Sequence, residues 1–461
     1  MAIQAFLENL EQLSLTLIVK EDKLVLRGEK GKLDDSEIEL IRKDSFIIDF
    51  IKENKPALIK HLKENTGAVY ALSPLQEGLL FHSIYDDDSG AYIIRFSCDL
   101  IDLDADYFRQ SWDFLLGKHS ILRSAFSYKE LSVPVQRVYK KVSMPFREED
   151  LSMLSEDEQA VWLSSFAEAD SKQGFDFNKP PLMRVGLFRL ATGRHKMIWS
   201  IHHLICDGWS MPVLMDELLR CYEDLTDGKG MPASGKEDRY EDYIRYIGAR
   251  DVHEQKTFWK EYLSGIESPS LLPFAGSHPS RNRSGNNIQR QVLQLDTSFT
   301  ASLQDFIRTH HLTANTIVQG VWAYLLSRYT NSTAVVYGVT VSGRPASLPA
   351  VEQRVGMYIN TIPLCSRLSE DMLITDWLKE LQDGHNEARE YQYTSLSEIQ
   401  QWQGISGDFF DSILVFKNFP MGEELFRNWH LKAEHIEVKE KNNYLLGLAA
   451  EFVEVLTVHF K

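Results

Sequence analysis

Only four of the 461 residues are cysteine, and Cys98, Cys206, Cys221 and Cys365 lie far apart with no CxxC pair. That excludes a zinc framework and a dense disulfide scaffold, and it reads as buried thiols in a reducing compartment. Eighteen apolar residues never run together, so no segment has the pattern of a membrane-spanning helix. The opening MAIQAFLENLEQL mixes acidic residues into an amphipathic pattern and lacks the basic stretch and apolar run of a secretory signal, so the expected location is the cytoplasm. Positive charge is in deficit. Lys and Arg number 50 against 66 Asp and Glu, a net charge of −16, which sets nucleic acid and anionic membrane aside as partners. GxSxG, GxxxxGK[ST] and a GxGxxG after a strand are all missing, which removes the serine-hydrolase, phosphate-loop and dinucleotide readings.

What is present is an ordinary globular composition, 43% hydrophobic and 25% charged, in a chain long enough for two to four compact units at roughly 100–200 residues each. Residues 1–65 read as a small unit of their own. Ile3, Phe6, Leu7 and Leu10 recur at helical spacing. Leu15, Leu17 and Val19, then Leu24 and Leu26, alternate at strand spacing around a turn at Lys20-Glu21-Asp22-Lys23. Asp34, Asp35 and Ser36 offer an N-cap to a helix with Ile38, Ile41, Ile47, Ile48 and Ile51 on its apolar stripe. Beyond Gly67 the pattern becomes mixed α/β, with strands expected at 91–96, 196–201 and 334–341 and helices at 312–329 and 371–391. The Pro-, Gly- and Ser-rich stretch 266–287 divides this body into two parts, 66–265 and 266–461.

Chemistry concentrates in Trp199-Ser200-Ile201-His202-His203-Leu204-Ile205-Cys206-Asp207-Gly208, where an apolar strand runs into two histidines, a short loop and a helix. Adjacent strand residues face opposite sides, so His202 and His203 are a poor chelate for one metal ion, and no metal site is expected. The same geometry lets one imidazole face a cleft as a lone general base while the other is held in the protein. Asp207 needs a partner if buried: an arginine, or the N-terminus of the following helix. Taken alone, a His-Asp pair is more often a satisfied structural hydrogen bond than a catalytic one.

His202-His203-Leu204-Ile205-Cys206-Asp207-Gly208 resembles the HHxxxDG motif of the condensation domains of non-ribosomal peptide synthetases, and other stretches fit that family in the right order. Ser73-Pro74-Leu75-Gln76-Glu77-Gly78-Leu79-Leu80-Phe81-His82 is similar to its opening motif, and His119-Ser120-Ile121-Leu122-Arg123-Ser124-Ala125-Phe126 to its second. Tyr240-Glu241-Asp242-Tyr243 resembles the fourth, with Tyr246 where the pattern usually has Trp. Residues 337–344 and Val355-Gly356-Met357-Tyr358-Ile359-Asn360-Thr361 resemble the SGR turn and the GxxxNT motif of the second lobe.

The resemblance implies an α/β (α+β) fold of two chloramphenicol-acetyltransferase-like lobes in a V. The active site would lie in a tunnel between them, reached from opposite faces by 4'-phosphopantetheine arms on an upstream donor and a downstream acceptor carrier domain. The chain itself would bind no cofactor. His203 would position or deprotonate the acceptor amine, with His202 beside it. Asp207 would form a structural salt bridge, to Arg344 by first choice or to Arg123. Gly208 would offer its N–H to the reacting carbonyl, and Asn360 would support the site. The opening motif and Phe410-Asp411-Ser412-Ile413-Leu414-Val415-Phe416-Lys417-Asn418-Phe419-Pro420 resemble domains accepting a donor that ends in a D-residue. The intact histidines argue against heterocyclisation. Residues 1–65 resemble the αββαα docking domains that open some synthetase subunits. That implies a hairpin edge formed by Lys20, Lys23, Leu24, Val25, Leu26 and Arg27, taking the C-terminal tail of an upstream subunit as an added strand. The family normally adds a strand and a helix after a strand like 455–460, so the second lobe is expected to be incomplete. Alternatives are a related HHxxxDG acyltransferase or epimerisation domain, or a docking fragment without catalysis.

Overall fold

A computed structural model describes residues 10, 15–20, 23–28, 45–56, 65–85, 92–128, 133–233, 235–266, 268–273, 289–405, 407–417, 426–427, 429–440 and 444–461. The strands of the first half are β1 (Leu15–Lys20), β2 (Lys23–Gly28), β3 (Thr66–Ala71), β4 (Ile93–Ile101), β5 (Ser124–Ser127), β6 (Val135–Tyr139), β7 (Phe146–Asp150), β8 (Met183–Ala191) and β9 (Arg194–His202). Those of the second half are β10 (Gln291–Gln294), β11 (Ala334–Val341), β12 (Asn360–Arg367), β13 (Ser412–Lys417), β14 (Lys432–Lys439), β15 (Leu446–Phe452) and β16 (Leu456–Phe460).

β1 and β2 pair antiparallel with Lys20 opposite Lys23, Val19 opposite Leu24 and Leu17 opposite Leu26, as the alternation predicts. The N-cap expected at 34–36 lies outside the described residues; the helix Ser45–Glu53 falls within the apolar stripe expected to follow it. Elsewhere the element ends are set by local chemistry. The helix expected from Leu312 begins at Ala314, because the Thr313 side chain accepts the Thr316 N–H and caps it. The helix expected over 371–391 spans Ile374–Glu390. Residues 274–288, most of the expected linker, lie outside the described residues.

Two large mixed sheets organise the body. The first runs in the order β14-β4-β9-β8-β7, the second β10-β16-β15-β13-β11-β12, and β3-β6-β5 form a smaller third. In the first sheet β4 and β9 are buried along most of their length, which accounts for apolar runs rather than alternation. Trp112 and Leu115 from the helix Ala105–Lys118 and Leu214 and Leu218 from the helix Ser210–Thr226 share one apolar core with Trp199 of β9 and Phe96 of β4. The second sheet has its own core, built around Trp322, Tyr337, Phe409 and Leu448.

The division at 266 has one exchange: β14, from the second half of the chain, adds to the edge of the first sheet antiparallel to β4. A bulge between Glu434 and Glu437 places His435 at φ 49, where its ring meets Asp99 at 3.0 Å. Asp99 also takes Arg194 at 2.5 Å and Lys196 at 2.9 Å, and although burial pushes its carboxyl up, these partners hold it below the usual range. Phe426, just before β14, stacks on Phe96 with ring centroids 6.5 Å apart.

Phe426→Ala removes this buried anchor at a cost of about 3–5 kcal/mol. Native-state hydrogen exchange should then speed up first in β14, leaving β11 and β12 protected; uniform loosening of both sheets would show that Phe426 does not act locally.

Candidate active site

β9 ends at His202, and a 3-10 turn over His203–Ile205 follows before the chain enters the helix Ser210–Thr226. The turn is pinned from two sides. Gln76, fully buried in the helix Pro74–Tyr85, donates through Nε2 to the Leu204 carbonyl at 2.7 Å, and the His203 N–H donates to the Tyr92 carbonyl at 2.8 Å. The glutamine of the opening motif is thus explained by the turn that it holds.

The two histidines part company at this turn. His202 is buried beside the Phe175 and Phe177 rings, and its Nδ1 accepts the Leu204 N–H at 3.1 Å. Burial, reinforced by neighbouring His203, pushes its pKa down to about 3, so it stays neutral. His203 faces a cavity of about 1510 Å³ lined also by Gly208, Trp209, Asn360 and Phe410. Its Nδ1 lies 3.1 Å from the Cys206 carbonyl, to which it donates, so Nε2 is the atom turned to the cavity. There Nε2 meets a Glu440 oxygen at 2.9 Å. Burial alone would lower the His203 pKa, but Glu440 raises it above the ordinary value.

Asp207 is fully buried and saturated with donors. Oδ1 accepts from the Ser210 N–H at 2.8 Å and Ser210 Oγ at 2.7 Å. Oδ2 accepts from the Tyr358 N–H at 3.1 Å and the Ile359 N–H at 3.4 Å. Arg344 Nη2 reaches both oxygens, at 3.1 and 3.3 Å, while Nη1 donates to the Val351 and Arg354 carbonyls. Asp207 thus has both an arginine partner and the Ser210 N–H at the start of the following helix. The guanidinium also lies 4.2 Å from the Tyr358 ring centroid. Just before it, Gly343 sits at φ 60, and a Cβ there would overlap the Tyr358 carbonyl. Tyr240 and Tyr243 donate to the Met357 and Tyr358 carbonyls, so the fourth motif buttresses the GxxxNT segment.

Arg123, the second-choice partner, does not join Asp207. The turn Ser120–Arg123 follows the helix Ala105–Lys118 and aims the guanidinium at its C-terminal Leu116 carbonyl (2.7 Å), the Tyr139 carbonyl (2.5 Å) and Glu237. A cation suits that helix end. Asn360 lines the cavity, and its Nδ2 donates to the Gln392 and Thr394 carbonyls at 2.8 and 2.9 Å. In the hairpin Leu24 and Leu26 are half-buried, and the side chains of Lys20, Lys23, Val25 and Arg27 lie outside the described residues. Glu440 has no counterpart among the residues that the sequence pattern singles out. Set among Lys439, Lys441 and other charges, it has the pattern of a solvated segment.

A model of the condensation domain family matches residues 67–461. The chain belongs to that family. Condensation domains are amide-forming acyltransferases of non-ribosomal peptide synthetases, which work with phosphopantetheine-bearing carrier domains. Among curated relatives, a linear gramicidin synthase protein of Brevibacillus parabrevis is 40% identical over 77% of this chain, and surfactin synthase subunit 2 of Bacillus subtilis 34% identical over 79%. The aligned stretch is 5% and 10% of those proteins' own lengths. The first condensation domain of the calcium-dependent antibiotic synthetase, in complex with a substrate analogue, superposes with TM-score 0.64 at 19% identity over 86% of this chain and 91% of its own. A cyclization-docking bidomain from Sorangium cellulosum superposes with TM-score 0.68 at 18% identity over 100% of this chain and 93% of its own. Among the described residues, no helix is long and apolar enough to cross a membrane.

Removing either partner of the Asp207–Arg344 pair strands a buried charge. Asp207→Ala and Arg344→Ala should each destabilise this condensation domain by about 3–5 kcal/mol. The double variant should lose less than the sum in urea unfolding; strict additivity would mean that the two groups are energetically independent.

Proposed function

We propose that this condensation domain forms a peptide bond at His203, transferring a peptidyl or acyl group from an upstream carrier thioester to the amine of a downstream aminoacyl thioester. The carrying observation is the cavity-facing Nε2 of His203, whose other ring nitrogen is tied to the Cys206 carbonyl. As the amine nitrogen attacks, a C–N bond forms and the C–S bond breaks. The nitrogen loses a proton, and the thiol leaves protonated. A thioester is already activated, so most of the acceleration comes from holding the two arms at attack distance, with hydrogen bonding or proton transfer at His203 adding to it. Gly208 on the cavity wall supplies its N–H to the developing oxyanion in this reading. Asp207 and Arg344 act by fixing the turn that carries His203, Asn360 by fixing the opposite wall, and His202 as a neutral packing group.

The donor reading is a residue of D configuration. Its support is that both stretches carrying the resemblance line the cavity, Leu75, Leu79 and His82 from one and Phe410, Ile413 and Phe416 from the other. For residues 1–65 the proposed role is docking, with the edge of the β1–β2 hairpin, which includes Lys20, Lys23, Leu24, Val25, Leu26 and Arg27, receiving the tail of an upstream subunit. The hairpin register and the full-length superposition of the cyclization-docking bidomain support it. In this scheme the units are 1–65, 66–265 and 266–461, and the protein works in the cytoplasm.

Peptide thioester is followed by intact mass with donor- and acceptor-loaded carriers. His203→Ala should lower the rate by about 10²–10⁴-fold. A D-terminated donor should outpace its L epimer, and deletion of residues 1–65 should weaken use of a tail-bearing upstream carrier alone. Full activity in His203→Ala would overturn the catalytic assignment, and equal rates for the epimers would overturn the donor assignment.

A further inference from the structure

The amine must approach His203 Nε2, and that position is occupied by a carboxylate. Glu440 directly follows β14, the strand that crosses from the second half of the chain to the first sheet. It lines the same cavity and places Oε1 2.9 Å from Nε2. We propose that Glu440 is the anionic half of the acceptor-amine site: it holds His203 as an imidazolium at rest and exchanges that cation for the α-ammonium of the incoming aminoacyl thioester. The inference rests on the assignment of His203 as the residue that receives the amine.

Three observations carry it. Nδ1 is committed to the Cys206 carbonyl, so Nε2 is the ring atom left for an amine proton, and it takes one only after Glu440 releases it. The Glu440 side chain is 42% exposed while that of His203 is 9% exposed, so the carboxylate is reachable by a ligand without unpacking the turn. The surroundings keep the carboxylate charged: burial pushes its pKa up, but His203 first, then Lys461 and Lys417, draw it down to about 2. Among the described residues, the charged groups acting on the pair are Asp207 after the His203 turn, Lys417 at the end of β13 and Lys461 after β16. Only a cation competes with imidazolium for Glu440 at no cost in charge balance, and the acceptor's α-ammonium is the cation that the reaction supplies.

The protons balance. At rest His203 carries two ring protons and Glu440 none. As the ammonium takes the carboxylate, His203 releases its Nε2 proton to solvent. The ammonium next passes one proton to Nε2, and the neutral amine attacks the thioester carbonyl. A second nitrogen proton ends on the departing thiolate. His203 is again an imidazolium beside Glu440, and the net reaction releases one proton for each ammonium consumed.

The test uses the whole chain with donor-loaded carrier and a panel of glycyl, alanyl, leucyl and phenylalanyl acceptor carriers, following the acceptor that the wild type condenses fastest. Glu440→Gln should raise the acceptor KM about tenfold, as expected for loss of a charge-assisted bond, with the donor KM unchanged. Because Glu440 raises the His203 pKa, its neutralisation should move the acid limb of kcat/KM for the acceptor to lower pH. Glu440→Asp should restore most of both effects. A role confined to anchoring β14 would instead lower the unfolding midpoint and leave the pH profile in place. Wild-type acceptor KM and an unmoved acid limb in Glu440→Gln, with His203→Ala inactive, would overturn the Glu440 assignment alone. No product from wild type, or full activity in His203→Ala, would overturn the reading on which it rests.

Discussion

The Asp207 carboxylate is the point at which the two halves of the chain are locked together. It receives Ser210 from its own helix start, and Arg344, Tyr358 and Ile359 from the second half, and the carboxylate itself is fully buried. A buried ion pair of this kind need not add net stability, because desolvating both charges offsets their attraction. What it fixes is register. A shift of the 354–360 segment by one residue would take from Oδ2 its Tyr358 and Ile359 donors, on a carboxylate that is fully buried. Gly343 serves the same closure: only a residue without a Cβ lets the chain pass the Tyr358 carbonyl and deliver Arg344 beneath it.

With the turn held, two adjacent imidazoles have their pKa values moved in opposite directions, His202 down by burial and His203 up by Glu440, without any difference in covalent chemistry. His202 ends a buried strand among aromatic rings, where its Nδ1 meets a backbone donor that requires a lone pair. Neutrality is enforced twice, by desolvation and by the hydrogen bond. One residue later the chain has turned into the 3-10 segment, the ring faces the cavity, and a carboxylate waits there. The contrast is a property of where the strand stops, since one more residue of extended backbone would have sent His203 in another direction.

Much of this was legible in the sequence. Strands buried on both sides announce themselves as apolar runs, and the 334–341 strand falls where that pattern places it. The contacts around Asp207 follow from the rule that a buried carboxylate needs partners, and the choice of Arg344 came with the family resemblance. Arg123 stood equally well in a family motif, but a helix C-terminus close to it in sequence captured its guanidinium. β14 was not legible as a crossing strand, because its alternating exposed pattern suits an edge of either sheet. Nor was Glu440, whose setting among charged residues has no period or spacing that separates a cavity-lining carboxylate from a solvated one.

The position of Glu440 follows from the same crossing. Lys439 pairs with Arg95 of β4, and β4 pairs in turn with β9, placing Ile93 opposite His202. The carboxylate and the imidazole therefore directly follow two strands of one sheet, β14 and β9, joined through β4, although they lie 237 residues apart in sequence. Lys417 and Lys461, which help keep Glu440 ionised, come from the second sheet. The charge of the His203–Glu440 pair thus depends on both sheets at once: its geometry is set by the first, its electrostatic environment is tuned by the second, and Asp207 with Arg344 holds the two in register.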